Sequence, residues 1–246
     1  MQNTQNLQKI SVTFLSSYLY CPRKLYFEQV LKILKIPKEA IVKGTIRHET
    51  YEGINKCEES LVSAIKQEDT YEDIFNEYKK AYTKILTDVI IKNTGLLKEA
   101  KLDSSIILSK TLPLILNEAE ARAKNIHFFS KRKGLFEKEL WVALTPKIES
   151  EVRIESDTLG LKGIIDEIRR YENEIVPIEL KTGKAPNTGV WDGHKVQLGA
   201  YMMLLQEKNQ KVKEGIVRYL DFGIERQIML DPFLKDEIIG LIEKVK

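Results

Sequence analysis

The spacing of apolar positions changes along this chain, and each change predicts a different kind of element. Between 42 and about 62, and again from Asp69 to about His127, apolar residues recur at helical spacing. Tyr71, Ile74, Phe75 and Tyr78 are followed by Leu86, Val89 and Ile90, and later by Leu112, Leu116 and Ala119. The spacing predicts one helix followed by an all-α lobe, an insert over 64–130 within one domain of 1–246. Beyond the lobe the pattern alternates. Leu135–Pro146 and Lys147–Ser156 read as strands, through Glu137-Lys-Glu-Leu-Trp-Val-Ala-Leu144 and Glu149-Ser-Glu-Val-Arg-Ile-Glu155. Leu159–Arg170 and Ile175–Lys181 follow as a hairpin, and Lys213–Phe222 and Glu225–Leu230 as two more strands. Asp231-Pro-Phe233 opens a last helix, with Asp231 as its cap and Pro232 in first position. Near the start, Ser16 or Ser17 suits the cap of one short helix and Pro22 the first turn of the next. The sum is an α+β fold: a mixed central sheet flanked by helices, with a helical lobe inserted before it.

The hairpin carries the chemistry. With Glu172-Asn173 as a two-residue loop, Tyr171 faces Glu174, and counting back sets Asp166 opposite Glu179 and Ile164 opposite Lys181. Opposed residues share a face, with β-carbons about 5 Å apart, and so do residues two apart on one strand. Asp166, Glu179 and Lys181 then project together, while Ile165, Ile178 and Leu180 fall on the opposite, buried face. Two such carboxylates repel as anions unless a cation lies between them. A hard divalent ion such as Mg²⁺ takes oxygen ligands, and a lysine alongside can orient a water or neutralise charge building on a phosphate. Glu-x-Lys alone is common on solvated sheet faces. The Gly-x-x-Asp one strand earlier narrows the reading, as do Gln197 and Tyr201, four apart and so on one helix face. Together they outline phosphodiester hydrolysis.

Composition adds limits. At 246 residues with 43% hydrophobic content, the chain can bury a sizeable core. A net charge of +3 is too weak by itself to claim nucleic acid. Abundant charge of mixed sign, with plentiful Ile and Lys, suits a thermophile. The polar start, Met1–Lys9, lacks an apolar signal core. The longest greasy run, Ile106–Leu116, is too short to span a bilayer and is broken by Lys110 and Pro113. A soluble, cytoplasmic protein with no membrane association is expected.

Gly163-Ile-Ile-Asp166, Glu179-Leu-Lys181 and Gln197-Leu-Gly-Ala-Tyr201 resemble motifs II and III and the following Gln-x-x-x-Tyr motif of the RecB-type nucleases of the PD-(D/E)xK superfamily. Within it, the likeness is greatest to the CRISPR-associated exonucleases of spacer acquisition. The resemblance implies a restriction-endonuclease-like fold. It also implies that His48, Asp166 and Glu179, with the backbone carbonyl of Leu180, hold Mg²⁺ or Mn²⁺. Lys181 would then position or activate the attacking water, and Gln197 and Tyr201 would support the site and the DNA strand. His48 follows Gly44 by four residues in the predicted helix at 42–62, in the place of the early Gly-x-x-x-His of that family. Taken alone, a helical histidine is more often a surface or packing residue. His127 and His194 have no such support, although His194 lies near enough to Gln197 to touch DNA.

Cys21-Pro-Arg-Lys-Leu-Tyr-Phe27 resembles the N-terminal cysteine motif of the same exonucleases, in which one cysteine here and three near the C-terminus hold an iron–sulfur cluster. The bare residues also read as a small buried thiol at a helix join. Such a cluster needs four cysteines, and this sequence has Cys21 and Cys57 only. Whether as a shortened chain or as a relative that has dispensed with the cluster, the 246 residues are not expected to bind it alone. Nor is a disulfide expected in an intracellular protein. Phe128-Phe-Ser-Lys-Arg-Lys133 reads as a solvated loop, or else as aromatic platforms beside cations for single-stranded nucleic acid.

The expected function is a metal-dependent deoxyribonuclease acting exonucleolytically on DNA that is single-stranded or has single-stranded ends. By the resemblance it trims spacer precursors before an integrase complex inserts them. One rival is a recombination or repair nuclease of the same superfamily. Another is a DNA-binding subunit of an integration complex that keeps the fold without chemistry, although the clustered charge speaks against it.

Overall fold

In the computed structural model, which describes residues 9–33 and 38–246, the chain forms two compact units. One comprises the described parts of Met1–Lys35 together with Pro146–Lys246, the other those of Ile36–Thr145. The polar start of the chain lies outside the described residues, apart from Lys9. Among the described residues no helix is long and apolar enough to cross a membrane.

The sheet unit begins with β1 (Ile10–Ser11), α1 (Val12–Tyr20) and α2 (Pro22–Gln29). Pro22 opens α2 as expected, but Ser16 and Ser17 lie inside α1, whose cap position is held by Ser11. The helical unit follows: α3 (Glu39–Ser63), α4 (Tyr71–Lys92), α5 (Thr94–Glu99), α6 (Ser104–Lys133) and α7 (Glu137–Ala143). Thr70 starts α4 through a reciprocal cap, its hydroxyl accepting from the Asp73 N–H at 3.2 Å while the Asp73 carboxylate accepts from the Thr70 N–H at 3.0 Å.

Two expectations fail in this unit. Glu137–Ala143 is a helix, not a strand. Its Glu, Lys, Leu and Ala are good helix formers, and only Leu140 is buried, with Val142 77% exposed, so no alternating face exists to seat in a sheet. Phe128–Lys133 is no loop either but the end of α6, which stops at Gly134 in the left-handed conformation (φ +65°). Lys131, Arg132 and Lys133 fall in that last turn, where cations complement the helix dipole.

The chain returns to the sheet unit with β2 (Lys147–Ser156), β3 (Leu161–Arg170), β4 (Ile175–Lys181), α8 (Asp192–Glu207), β5 (Glu214–Tyr219), β6 (Ile224–Met229) and α9 (Pro232–Val245). The six strands form one mixed sheet in the order β1-β3-β4-β5-β6, with β2 on the other side of β3. Helices flank the sheet, the architecture of the restriction-endonuclease-like fold. Helix α8 is the hub. Val196–Met202, Leu204 and Leu205 are all buried, and they share one core with Val12 and Leu15 of α1, Ile165 of β3, Val217 of β5 and Ile238 of α9. A helix so largely buried needs little polar surface of its own. Asp231 caps α9 as expected, accepting from the Leu234 N–H at 2.8 Å.

The sheet is forked. On the side away from β2, β3 pairs with β1 at Leu161 and Lys162 and with β4 from Glu167 to Arg170. Over the intervening 163–166, no strand pairing is recorded on that side among the described residues. Strand β4 meanwhile runs on alongside β5, in parallel, through Glu179 and Lys181.

Candidate active site

The hairpin has the expected register. The Tyr171 N–H donates to the Glu174 carbonyl at 2.9 Å, and pairs run from Arg170 with Ile175 to Glu167 with Ile178. One step further would set Asp166 against Glu179, but the ladder ends there. In its place, Oδ2 of Asp166 accepts from the Leu180 N–H at 2.7 Å. A side chain thus substitutes for the main-chain bond where the strands part, and it ties the carboxylate of β3 to the middle of Glu-Leu-Lys on β4.

Helix α8 closes over β4. Glu179 is only 2% exposed. Its Oε1 lies 2.7 Å from Nζ of Lys181 and accepts from Nε2 of Gln197 at 2.6 Å, while Oε1 of Gln197 accepts from Lys181 at 3.0 Å. The amide therefore holds carboxylate and ammonium in one triangle. One helical turn on, Tyr201 is 1% exposed and packs its ring on Gly163, where a β-carbon would stand 2.6 Å from Cε1. Gly163 opens the Gly-x-x-Asp motif because the helix must approach β3 this closely. Burial, then the charge of Glu179, raises the pKa of the Tyr201 hydroxyl, which also hydrogen-bonds the side chain of Gln197 and the backbone of Ile164.

Burial disfavours the Lys181 ammonium, but the Glu179 carboxylate, seconded by Asp166, outweighs it, and the lysine pKa lies above its ordinary value. In this geometry Lys181 is held as an ammonium. His194, one turn before Gln197, sits with Nδ1 3.1 Å from the Tyr219 hydroxyl. Burial and the nearby charge of Lys181 push its pKa down to about 4, so it is neutral at pH 7.

A residue that sequence reasoning passed over joins the acids. Strand β2 pairs with β3 in the same register on either side of Glu151, Ser150 with Glu167 and Val152 with Ile165, which places Glu151 across from Asp166. Carboxylate oxygens of the two lie within 4.8 Å of each other. The only signal in the sequence was the alternation of β2, which could not say which residue of β3 each position would face. Hard oxygen donors from β2 and β3 suit a divalent cation. Two oxygens about 2.0–2.1 Å from one Mg²⁺ stand up to about 4.2 Å apart, so a pair within 4.8 Å suits one ion directly or through one water.

The other expected residues are placed as follows. His48 stands on α3, in the helical unit. Cys21 sits at the extended join of α1 and α2, and Cys57 lies within α3, its thiol donating to the Ile54 carbonyl at 3.2 Å. Burial, and then the charge of Glu58, push the Cys57 thiol up to about 11, the opposite of an activated thiolate. Both cysteines are free and they belong to different units. Two thiols do not make the four ligands of an iron–sulfur cluster. A cavity of about 1210 Å³ opens elsewhere in the sheet unit, beside Phe14, Tyr26, Lys162 and Lys244, and none of the clustered acids lines it.

Comparison with known proteins agrees with this geometry. The family described as the PD-(D/E)XK nuclease superfamily matches residues 9–237. An uncharacterized protein of Archaeoglobus fulgidus is 28% identical over 151 residues, covering 57% of this chain and 66% of that protein. A CRISPR-associated exonuclease Cas4/endonuclease Cas1 fusion of Leptospira interrogans is 27% identical over 113 residues, 42% of this chain and 21% of the fusion. The DNA replication ATP-dependent helicase/nuclease JHS1 of Arabidopsis thaliana is 24% identical over 240 residues, 90% of this chain but 16% of that protein. The chain thus spans less than two thirds of the length of each of these relatives.

Proposed function

The chain belongs to the PD-(D/E)XK nuclease superfamily, and on that premise we propose that it is a metal-dependent deoxyribonuclease that hydrolyses phosphodiester bonds at DNA ends. The observation that supports this reading is the fork itself: where β3 and β4 part, Asp166 accepts from the Leu180 N–H between Glu179 and Lys181, and Lys181 is held beside Glu179 as an ammonium. Asp166 and Glu179 are the metal ligands in this proposal, joined by the Leu180 carbonyl and by His48 as a neutral ligand, the last two on the family resemblance. When bound, Mg²⁺ or Mn²⁺ supplies Lewis acidity at the phosphate and lowers the pKa of water.

The chain's own groups divide the remaining work. The Lys181 ammonium orients the attacking water and offsets charge gathering on the phosphate oxygens. Gln197 fixes the lysine and Glu179 in one orientation, and Tyr201 holds α8 against Gly163 so that the triangle keeps its shape. The likeness to the Cas4/Cas1 fusion supports exonucleolytic trimming of spacer precursors as the biological setting, with an integrase complex as partner. A second reading, a nuclease of DNA replication or repair, is favoured by the match to JHS1 across 90% of this chain.

End-labelled linear and circular single-stranded DNA, incubated with Mn²⁺, Mg²⁺ or EDTA, tests the proposal. The expected result is metal-dependent shortening of linear DNA alone, lost in Lys181→Ala. DNA binding without cleavage under every condition would instead identify a binding subunit.

A further inference from the structure

Glu151 departs from strand geometry at a telling place. It lies in the middle of β2, yet its φ is +55°, in the left-handed region that side chains other than glycine's enter at a cost. Backbone pairs are recorded on either side of it, Ser150 with Glu167 and Val152 with Ile165, but not between Glu151 and Asp166 themselves. The two nevertheless stand opposite each other, and opposed residues project to one face. Their carboxylate oxygens lie within 4.8 Å. A second acid opposite Asp166 carries a cost, since like charges directly opposed destabilise a sheet. Residues held in such sparsely populated conformations concentrate where function requires them.

We infer that Glu151 is a further acidic ligand of the divalent ion, acting from β2 opposite Asp166, directly or through one water. The inference rests on the metal-dependent nuclease reading above and extends it. The ion is then gripped from β2 and β3 as well as from the end of β4. Its affinity depends on a strand that lies outside the Gly-x-x-Asp and Glu-x-Lys motifs. Ligand substitution in the full chain tests this through metal binding, without recourse to activity. Titration calorimetry with Mn²⁺ is expected to show affinity lowered about tenfold to a hundredfold in Glu151→Gln, the range typical when one supporting group of a metal site is removed.

Glu149→Gln is the control. Glu149 lies two residues away on the same strand, paired with Arg170 at the protein surface, and its loss is expected to leave the affinity unchanged. Glu151→Gly separates ligation from strain. Glycine accepts φ +55°, so the metal-free melting temperature is expected to hold or rise while the thermal shift produced by Mn²⁺ shrinks. Equal affinity in the wild type and Glu151→Gln, with binding lost in Asp166→Asn, would overturn the assignment and leave the nuclease reading standing. A loss of equal size in Glu149→Gln would reduce the effect to long-range charge and also overturn it. Failure of the wild-type chain to bind Mn²⁺ at all would remove both.

Discussion

Each unit of this protein buries charge, and the two do so in opposite ways. In the helical unit, the hydroxyl of Tyr78 donates to Oε1 of Glu58 at 2.8 Å. The Tyr82 hydroxyl and Nη1 of Arg122 donate to Oε2 at 3.1 and 2.8 Å, and the Arg122 guanidinium also donates to Asn55 and Glu118. Donors meet acceptors from side chain to side chain, and the backbone beneath is regular helix. In the sheet unit, the half-buried carboxylates of Glu151 and Asp166 come within 4.8 Å where the ladder ends, with Glu151 at φ +55°. The first arrangement completes itself and fixes three helices. The second gathers acidic groups beside Lys181 at a break in the sheet, where like charges close together repel. Buried charge alone does not mark a functional site; buried charge on an irregular backbone is the more informative sign.

The contrast is broken most severely from the scaffold side. Arg122→Met strands Glu58 without its cation, and is expected to cost about 3–5 kcal/mol in urea unfolding. Adding Glu58→Gln should restore part of that loss, because removing both charges costs less than orphaning one. From the site side, Lys181→Ala is expected to slow DNA cleavage by about a hundredfold or more while Mn²⁺ binding persists, as measured by cleavage rate and calorimetry on one preparation. Gly163→Ala drives a methyl into the Tyr201 ring and is expected to cost about 1–3 kcal/mol, with cleavage reduced because α8 carries Gln197. The smallest effect concerns pH. His194 has a depressed pKa of about 4 through burial and the charge of Lys181, so the folded state resists its protonation. Its contribution is complete above its ordinary pKa near 6.5 and is lost as pH falls from there towards about 4. His194→Gln should therefore lose less stability than the wild type between pH 7 and pH 5. In Lys181→Ala, an NMR titration should find the His194 pKa higher than in the wild type.

Much of the geometry of the candidate site is legible in the sequence. The register of the β3–β4 hairpin followed from a two-residue loop and counting, since side-chain period and opposition leave a hairpin little freedom. Gln197 and Tyr201 lie on one face of α8 because they are four apart, and helical spacing is local information. The errors also have local causes. Glu137–Ala143 shows alternation over too few residues to separate a strand from a short helix, and its helix formers decided the outcome. Phe128–Lys133 continues the α6 helix because nothing before Gly134 stops it.

The sequence by itself therefore determined the Gly-x-x-Asp, Glu-x-Lys and Gln-x-x-x-Tyr groups, the strand pair that carries two of them, and the α+β class. Those depend on residues close in the chain and on periods that the backbone enforces. Only the tertiary structure decided that the ladder ends at Asp166, whose side chain then takes the Leu180 N–H. It likewise decided that Lys181 stays charged under α8 and that Glu151 arrives opposite Asp166 from another strand. Each of these depends on how separate elements meet: a strand drawn away by pairing with β5, a lysine balanced between burial and a carboxylate, and a backbone twisted at one residue. No local pattern of residues encodes such balances, because they arise only from the field and packing of the assembled fold.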